Sequence, residues 1–296
     1  IGTCTSGLSA NEAALFAQTR DQDCAEALVY SRQQMNATSV ALQRHLDWQG
    51  PCFTVSTACS SAAKAILAGQ RLLQADVCDV VLVGGIDTLC SLTFNGFDCL
   101  ESLSAERCRP FGQDRDGINI GEAGALFLLH REPENVVLLG GGESSDAWHI
   151  SAPHPEGKGA AQAMQRALAS TGLQAADIDY VNLHGTATPQ NDAMEALAIR
   201  TVFAESLPWL SSSKHHTGHC LGAAGAIEAA IACAALESSE AWLPWQQGFA
   251  AIDPVFADLP FVRPESVFTG RIKRIMSNSF AFAGSNASLI FESTHG

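Results

Sequence analysis

The sequence predicts an α/β protein in two similar halves, and three observations carry the prediction. Apolar runs with glycine-rich ends recur along the chain, helical segments lie between them, and two of the helices carry small residues on nearly every face. Alternating strands and helices form a mixed, largely parallel sheet. Helices of small residues are buried all round, with close backbone approach.

The strands expected from the apolar runs are Val80–Gly85, Ala125–His130, Val136–Gly142, Tyr180–Gly185 and Ala287–Glu292, each apolar on both faces. Helices are expected at Ala62–Gln74, at Lys158–Thr171 and at Asp192–Phe203, the last with Asp192 as its N-cap. "LGAAGAIEAAIACAALE" (Leu221–Glu237) and the Ala62–Ala68 stretch are the two small-residue helices, and their presence in one chain suggests two similar halves packed back to back. The break at "REPEN" (Arg131–Asn135) divides the chain into residues 1–133 and 134–296. "IGTCTSGLSA" reads as the end of a strand running into a glycine turn.

Composition narrows the function classes. The chain has 296 residues, 47% hydrophobic and 16% charged, which gives ample core. A net charge of −14 argues against nucleic acid as the main partner. No apolar run reaches the length of a membrane span. The 10 cysteines are scattered and include no C-x-x-C, so they read as reduced thiols of a cytoplasmic protein.

Four segments can carry chemistry. In "VSTACSSAAKAIL", Cys59 falls where a strand turns into a helix, where free N–H groups and the helix dipole favour a thiolate or an oxyanion. A packing cysteine fits the same small-residue setting. In "NLHGTATPQNDAMEAL", His184 lies at the C-terminal end of a strand, where α/β sheets place ligands; a histidine satisfied by backbone groups is the alternative. "SSSKHHTGHCLGAAG" offers either a zinc cluster of histidine and cysteine or a single catalytic His219 with Lys214 nearby. Gly218 breaks the helix that would put His215 and His219 on one face, and His215 and His216 read as surface or packing residues. In "SNSFAFAGSNASL", Phe280 and Phe282 are either core aromatics or part of a loop that lines or gates an apolar pocket. "GGGE" (Gly140–Glu143) follows a strand but lacks the G-x-G-x-x-G and the lysine of phosphate-binding loops.

In order along the chain stand T-A-C-S-S, R-P-F-x-x-x-R-D-G (Arg109–Gly117), H-G-T-x-T (His184–Thr188), K-x-x-x-G-H-x-x-G-A-A-G (Lys214–Gly225) and N-S-F-x-F-x-G-x-N (Asn278–Asn286). Together they resemble the β-ketoacyl-acyl carrier protein synthases of the thiolase superfamily, from Ile1 to about Glu292. The chain departs from that pattern at Ala281 and Ala283, where the family usually has glycine, and in lacking the phenylalanine that often follows R-D-G. Family chains also begin upstream of the segment matching Ile1.

The resemblance implies a thiolase-like layered fold (α-β-α-β-α) and a decarboxylative condensation. It makes Cys59 the acyl-accepting nucleophile and the backbone N–H groups of Cys59 and Phe282 the oxyanion hole. His184 and His219 would hold the enolate of a malonyl thioester. Lys214 would pair with Glu195, with Asp192 in the same network, while Thr186, Thr188, Phe280 and Asp192 would contact the substrate. No metal and no cofactor are implied. The partners implied are an acyl carrier protein and a second subunit, as a homodimer or as a heterodimer with a related chain. Arg32 and Arg44 are the candidates for docking the acidic carrier, and Lys64 is expected to be buried. A Cys/His thioester hydrolase and a non-catalytic subunit of the chain-length-factor type are the rivals.

Overall fold

A computed structural model describes residues 1–20, 28–240, 242–246, 252–268 and 270–295. Its helices are α1 (Ser9–Thr19), α2 (Tyr30–Gln33), α3 (Ala37–Leu46), α4 (Ser61–Gln74), α5 (Ser91–Cys99), α6 (Lys158–Thr171), α7 (Pro189–Phe203), α8 (Lys214–Thr217) and α9 (Ala224–Glu237). Its strands are β1 (Val80–Asp87), β2 (Ala123–His130), β3 (Val136–Ser145), β4 (Tyr180–Asn182), β5 (Trp209–Ser211), β6 (Arg274–Ala281) and β7 (Ser285–Ser293). Among the described residues no helix is long and apolar enough to cross a membrane.

The first half holds β1 antiparallel to β2, with Gly2 bridging in parallel to both Val55 and Gly85. The second half holds a five-stranded sheet in the order β3-β7-β6-β4-β5. Here β4 runs parallel to β5 and β6, whereas β7 is antiparallel to β3 and β6. The sheets are therefore mixed, with less parallel pairing than the strand–helix alternation suggests. The reason is the tight turn at Phe282–Gly284, which folds β7 back on β6 as a hairpin.

The period-2 alternation of the strands sorts two cores. Tyr180, Ile275 and Leu289 face α4 and α9, while Val181, Met276 and Ile290 face α6 and α7. α4 and α9 touch each other and pack on both sheets, forming the central layer. Close approach there depends on small residues: a Cβ on Gly225 would lie 2.9 Å from the backbone nitrogen of Ala63, and one on Gly85 2.6 Å from Cβ of Ala62.

Several sequence expectations are corrected. β2 is not apolar on two buried faces, because Leu126 and Leu128 point outward. Asp192 does not cap α7: Thr188 precedes the helix and Pro189 opens it, its missing N–H costing nothing at that position. Phe280 lies on β6, not in a loop. That strand and the short β5 escaped the apolar pattern, β6 because Ser277, Asn278 and Ser279 interrupt it.

Candidate active site

The segment around Cys59 is a tight turn before α4. Ala58 has a φ of 53°, and its carbonyl accepts from both the N–H and the hydroxyl of Ser61. The Ser61 hydroxyl also accepts from the N–H of Thr57. The turn projects Cys59 into a cavity that His184, His219, Thr186, Thr188, Phe97 and Phe282 help line.

His184 follows β4, and Glu195 on α7 fixes its backbone. One carboxylate oxygen of Glu195 accepts from the N–H of His184 at 2.8 Å, the other from that of Gly185 at 2.7 Å. His219 is set by the first half of the chain: its N–H donates to the carbonyl of Asn119 at 2.7 Å, and its carbonyl accepts from Gly121. The segment following R-D-G thus acts as a brace for the second histidine. R-P-F braces the first: the N–H of Phe111 donates to Asp192, whose other oxygen accepts from Ala187, and the Phe111 ring packs on Phe256 and Phe261.

The three reactive groups meet in a buried cluster. Nε2 of His219 lies 3.0 Å from Sγ of Cys59, and the rings of His184 and His219 pack edge to face with centroids 5.3 Å apart. The ligand-type atoms of Cys59, His184 and His219 all lie within 4.8 Å of one another. Behind them, Nζ of Lys214 sits 3.4 Å from Nδ1 of His184 and forms an ion pair with Glu228. Lys214 therefore pairs with Glu228 rather than with Glu195, whose oxygens are committed to backbone N–H groups. Sequence reading passed over Glu228, as it did Phe97 of the cavity wall. For Phe97 no motif gave a signal. Glu228 had one, an acid inside the apolar body of "AGAIEAAIACAALE", nine residues before the terminal Glu237.

Electrostatics follow from burial. Burial pushes the Cys59 thiol up to about 11, although the Lys214 charge and the backbone N–H groups of Phe282 and Cys59 itself oppose the rise. The thiolate favoured by a helix N-terminus is thus not the resting form, because desolvation outweighs those donors. Burial first, and Lys214 second, hold both histidines well below the ordinary imidazole range, so both rings are neutral at pH 7. Since the Lys214 ammonium can only donate, Nδ1 of His184 is an acceptor and Nε2 carries the proton. Burial raises Glu195 to about 7 and Asp192 to about 6.

Of the expected substrate contacts, Thr186, Thr188 and Phe280 line the cavity, and the two hydroxyls are 3.0 Å apart. Asp192 does not reach it, being sealed behind the His184 loop. Phe282 faces Phe97 of α5, centroids 5.5 Å apart. Of the two alanines that replace glycine, only Ala283 has a positive φ, 58°, and its N–H donates to the carbonyl of Ile150. The zinc reading of "HHTGHC" fails on geometry: His215 turns to the Cys108 carbonyl, and His216 is exposed beside Trp245. Lys64 is largely buried 3.9 Å from Glu143, while Arg32 and Arg44 line one groove with His45.

Comparison with known proteins agrees with this layout. Residues 1–135 match the N-terminal domain of β-ketoacyl synthases and residues 136–245 the C-terminal domain. A mitochondrial 3-oxoacyl-acyl-carrier-protein synthase of Arabidopsis thaliana is 39% identical over 279 residues, covering 88% of this chain and 60% of its own length. Nodulation protein E of Rhizobium meliloti is 35% identical over 268 residues, covering 87% and 65%. The chain thus spans 60–65% of the length of these curated relatives. A ketosynthase from Xenorhabdus doucetiae, solved in complex with its chain length factor, superposes with a TM-score of 0.90 at 45% identity, over 98% of this chain and 72% of that one. The fold is thiolase-like, and the chain belongs to the β-ketoacyl synthase family.

Proposed function

We propose that this chain carries the catalytic core of a 3-oxoacyl-acyl carrier protein synthase. It forms a carbon–carbon bond between an acyl thioester and a malonyl thioester, both presented on carrier protein, in fatty acid or polyketide chain elongation. The observation that carries the reading is the 3.0 Å contact between Nε2 of His219 and Sγ of Cys59, with His184 against the same ring.

The chemistry follows from the geometry. His219 takes the Cys59 proton as Sγ attacks the incoming thioester carbonyl, and the proton passes to the departing carrier thiol. The backbone N–H groups of Cys59 and Phe282 hold the tetrahedral oxyanion. A malonyl thioester then enters. Its carboxylate leaves as CO₂, and the electron pair collects on the thioester oxygen as an enolate. Nε2–H of His184 donates to that oxygen. Nδ1 of His219 has no side-chain or backbone partner among the described residues, so this ring is free to present Nε2 as acceptor to the thiol and as donor to the enolate. The enolate carbon attacks the acyl-Cys59 carbonyl, Cys59 departs as thiolate, and the 3-oxoacyl chain stays on the carrier. Neutral histidines suit this step, because they donate hydrogen bonds to the developing charge without fully protonating it.

The two halves are residues 1–133, with the nucleophile, and 134–296, with both histidines. The proposed partners are a carrier protein, docked through Arg32 and Arg44, and a second subunit. The Xenorhabdus ketosynthase solved with its chain length factor supports a heterodimer as one form of that assembly. Cytoplasmic action accords with the nine described cysteines, all free thiols. The test is to supply acyl- and malonyl-carrier protein and follow Cys59 by mass alongside product. Acyl-Cys59 followed by a 3-oxoacyl carrier supports the reading. Free acid as the only product would make the chain a hydrolase, and no acylation would make it a non-catalytic subunit.

A further inference from the structure

We infer that His149 binds the pantetheine arm of the carrier, its Nε2–H donating to the arm's outer amide carbonyl at the mouth of the cavity. The inference rests on the carrier-borne condensation proposed above and names a contact that the reacting cluster does not make. His149 follows β3 and lines the same cavity as Cys59, Thr186 and Thr188. Its ring is set by its own loop: the N–H groups of Ser151 and Ala152 both donate to Nδ1, each at 3.1 Å. A nitrogen that accepts carries no proton, so the ring is the neutral tautomer with its proton on Nε2. That N–H lies away from the two loop donors and has no hydrogen-bond partner among the described residues.

The loop that bears the ring is tied to the Phe282 turn. The carbonyl of Ile150 accepts from the N–H of Ala283 at 2.7 Å, the N–H of Asp146 donates to the carbonyl of Gly284 at 2.9 Å, and the Asp146 carboxylate accepts from Asn286 at 2.7 Å. His149 therefore keeps a fixed distance from the Phe282 N–H. Exposure orders the cavity from floor to rim: Cys59, His184, His219 and Thr186 are buried, Thr188 is half-buried and His149 is exposed. An arm whose thioester reaches Cys59 lays its inner amide along Thr186 and Thr188 and its outer amide beside His149. Among the described residues no lysine or arginine lines the cavity, so its rim suits an uncharged acceptor such as an amide carbonyl better than the arm's phosphate.

The test is a series of shortened acyl donors offered to the full chain, with acylation of Cys59 followed by mass. Acyl-pantetheine carries both amides, and acyl-N-acetylcysteamine lacks the outer one. His149→Ala should raise the KM for acyl-pantetheine by about 3- to 10-fold, the size of one hydrogen bond, at an unchanged maximal rate. The same variant should handle acyl-N-acetylcysteamine as the wild type does. His149→Gln, whose side-chain amide places an N–H near the position of Nε2, should recover most of the loss. Equal losses on both donors, a lower maximal rate with KM unchanged, no recovery in His149→Gln, or a loss seen only with acyl-phosphopantetheine would each overturn the contact. Binding of free pantetheine, read by saturation-transfer NMR, needs no turnover. Weaker binding by His149→Ala supports the contact even where Cys59 is never acylated, an outcome that would refute the condensing role alone. Equal binding by variant and wild type would refute the contact alone.

Discussion

Nζ of Lys214 lies 3.4 Å from Nδ1 of His184, and both groups are sealed from solvent, 1% exposed each. A buried ammonium at that distance has two effects. It fixes the histidine tautomer, and it depends on Glu228 for its own charge balance.

Glu228→Gln removes that balance. Breaking a buried ion pair from one side costs about 3–5 kcal/mol. The expected outcome is a drop of that order in urea-unfolding stability. At temperatures where the variant is still folded, malonyl decarboxylation should also be slower, because Lys214 no longer holds its position against Nδ1. Wild-type stability in this variant would mean that the Lys214–Glu228 contact contributes nothing to the fold.

The two histidines should separate kinetically. His184→Ala and His219→Ala should each slow decarboxylation by about 10²–10³, the usual effect of removing one oxyanion donor. Only His219→Ala should also slow acylation of Cys59, since only His219 touches the thiol. Stopped-flow measurement of acyl transfer checks the difference, and equal acylation rates in the two variants would remove the proton-acceptor role from His219.

Cys59→Gln should abolish condensation and leave or raise decarboxylation. The amide accepts no acyl group but resembles the acylated side chain, and the histidines are untouched. The measurement is CO₂ release from malonyl-carrier against 3-oxoacyl product. Loss of both activities in a folded variant would mean that the steps are assigned to the wrong residues.

Glu195 gives a pH signature. Its carboxyl is raised to about 7 by burial, from an ordinary 4.5, so the folded state holds a proton that the unfolded chain releases between those values. Its contribution to stability is therefore greatest below pH 4.5 and declines as pH rises to about 7, by at most about 3 kcal/mol. The buried histidines act in the opposite sense, losing stability only as pH falls below 6.5. The difference between wild type and Glu195→Gln isolates the carboxyl: the gap should change across pH 5–7 and be flat above pH 8. Melting curves at half-unit intervals test it.

Much of this was legible in residue order. Cys59, His184, His219 and Lys214 stand in motifs whose spacing fixes a strand end, a helix start or a glycine break, and such local constraints survive folding. What could not be read was which acid meets which base. Glu195 and Glu228 are both buried acids in helices, and only the approach of α7 and α9 to the same site decides that one accepts from backbone N–H groups and the other faces Lys214. β6 was missed for a related reason. Its serines and asparagine face buried polar partners, such as Ser288 with Asn278, which a pattern of apolar residues does not register. The thiol's raised pKa is likewise a property of depth, not of sequence position.

Between α4 and α9 the spacing is set by hydrogen atoms and methyl groups. Cys59 stands two residues before one helix and His219 five residues before the other, across the 3-10 turn Leu221–Ala223, and the backbone of Ala63 lies where a side chain on Gly225 would begin. The gap between Cys59 and His219, the proposed nucleophile and base, is thus metered by main chain against main chain, a ruler with almost no elasticity. Long flexible side chains at that crossing would let the two halves slide. Glycine and alanine deny them that play, so the least reactive residues in the chain set the tolerance of its most reactive pair.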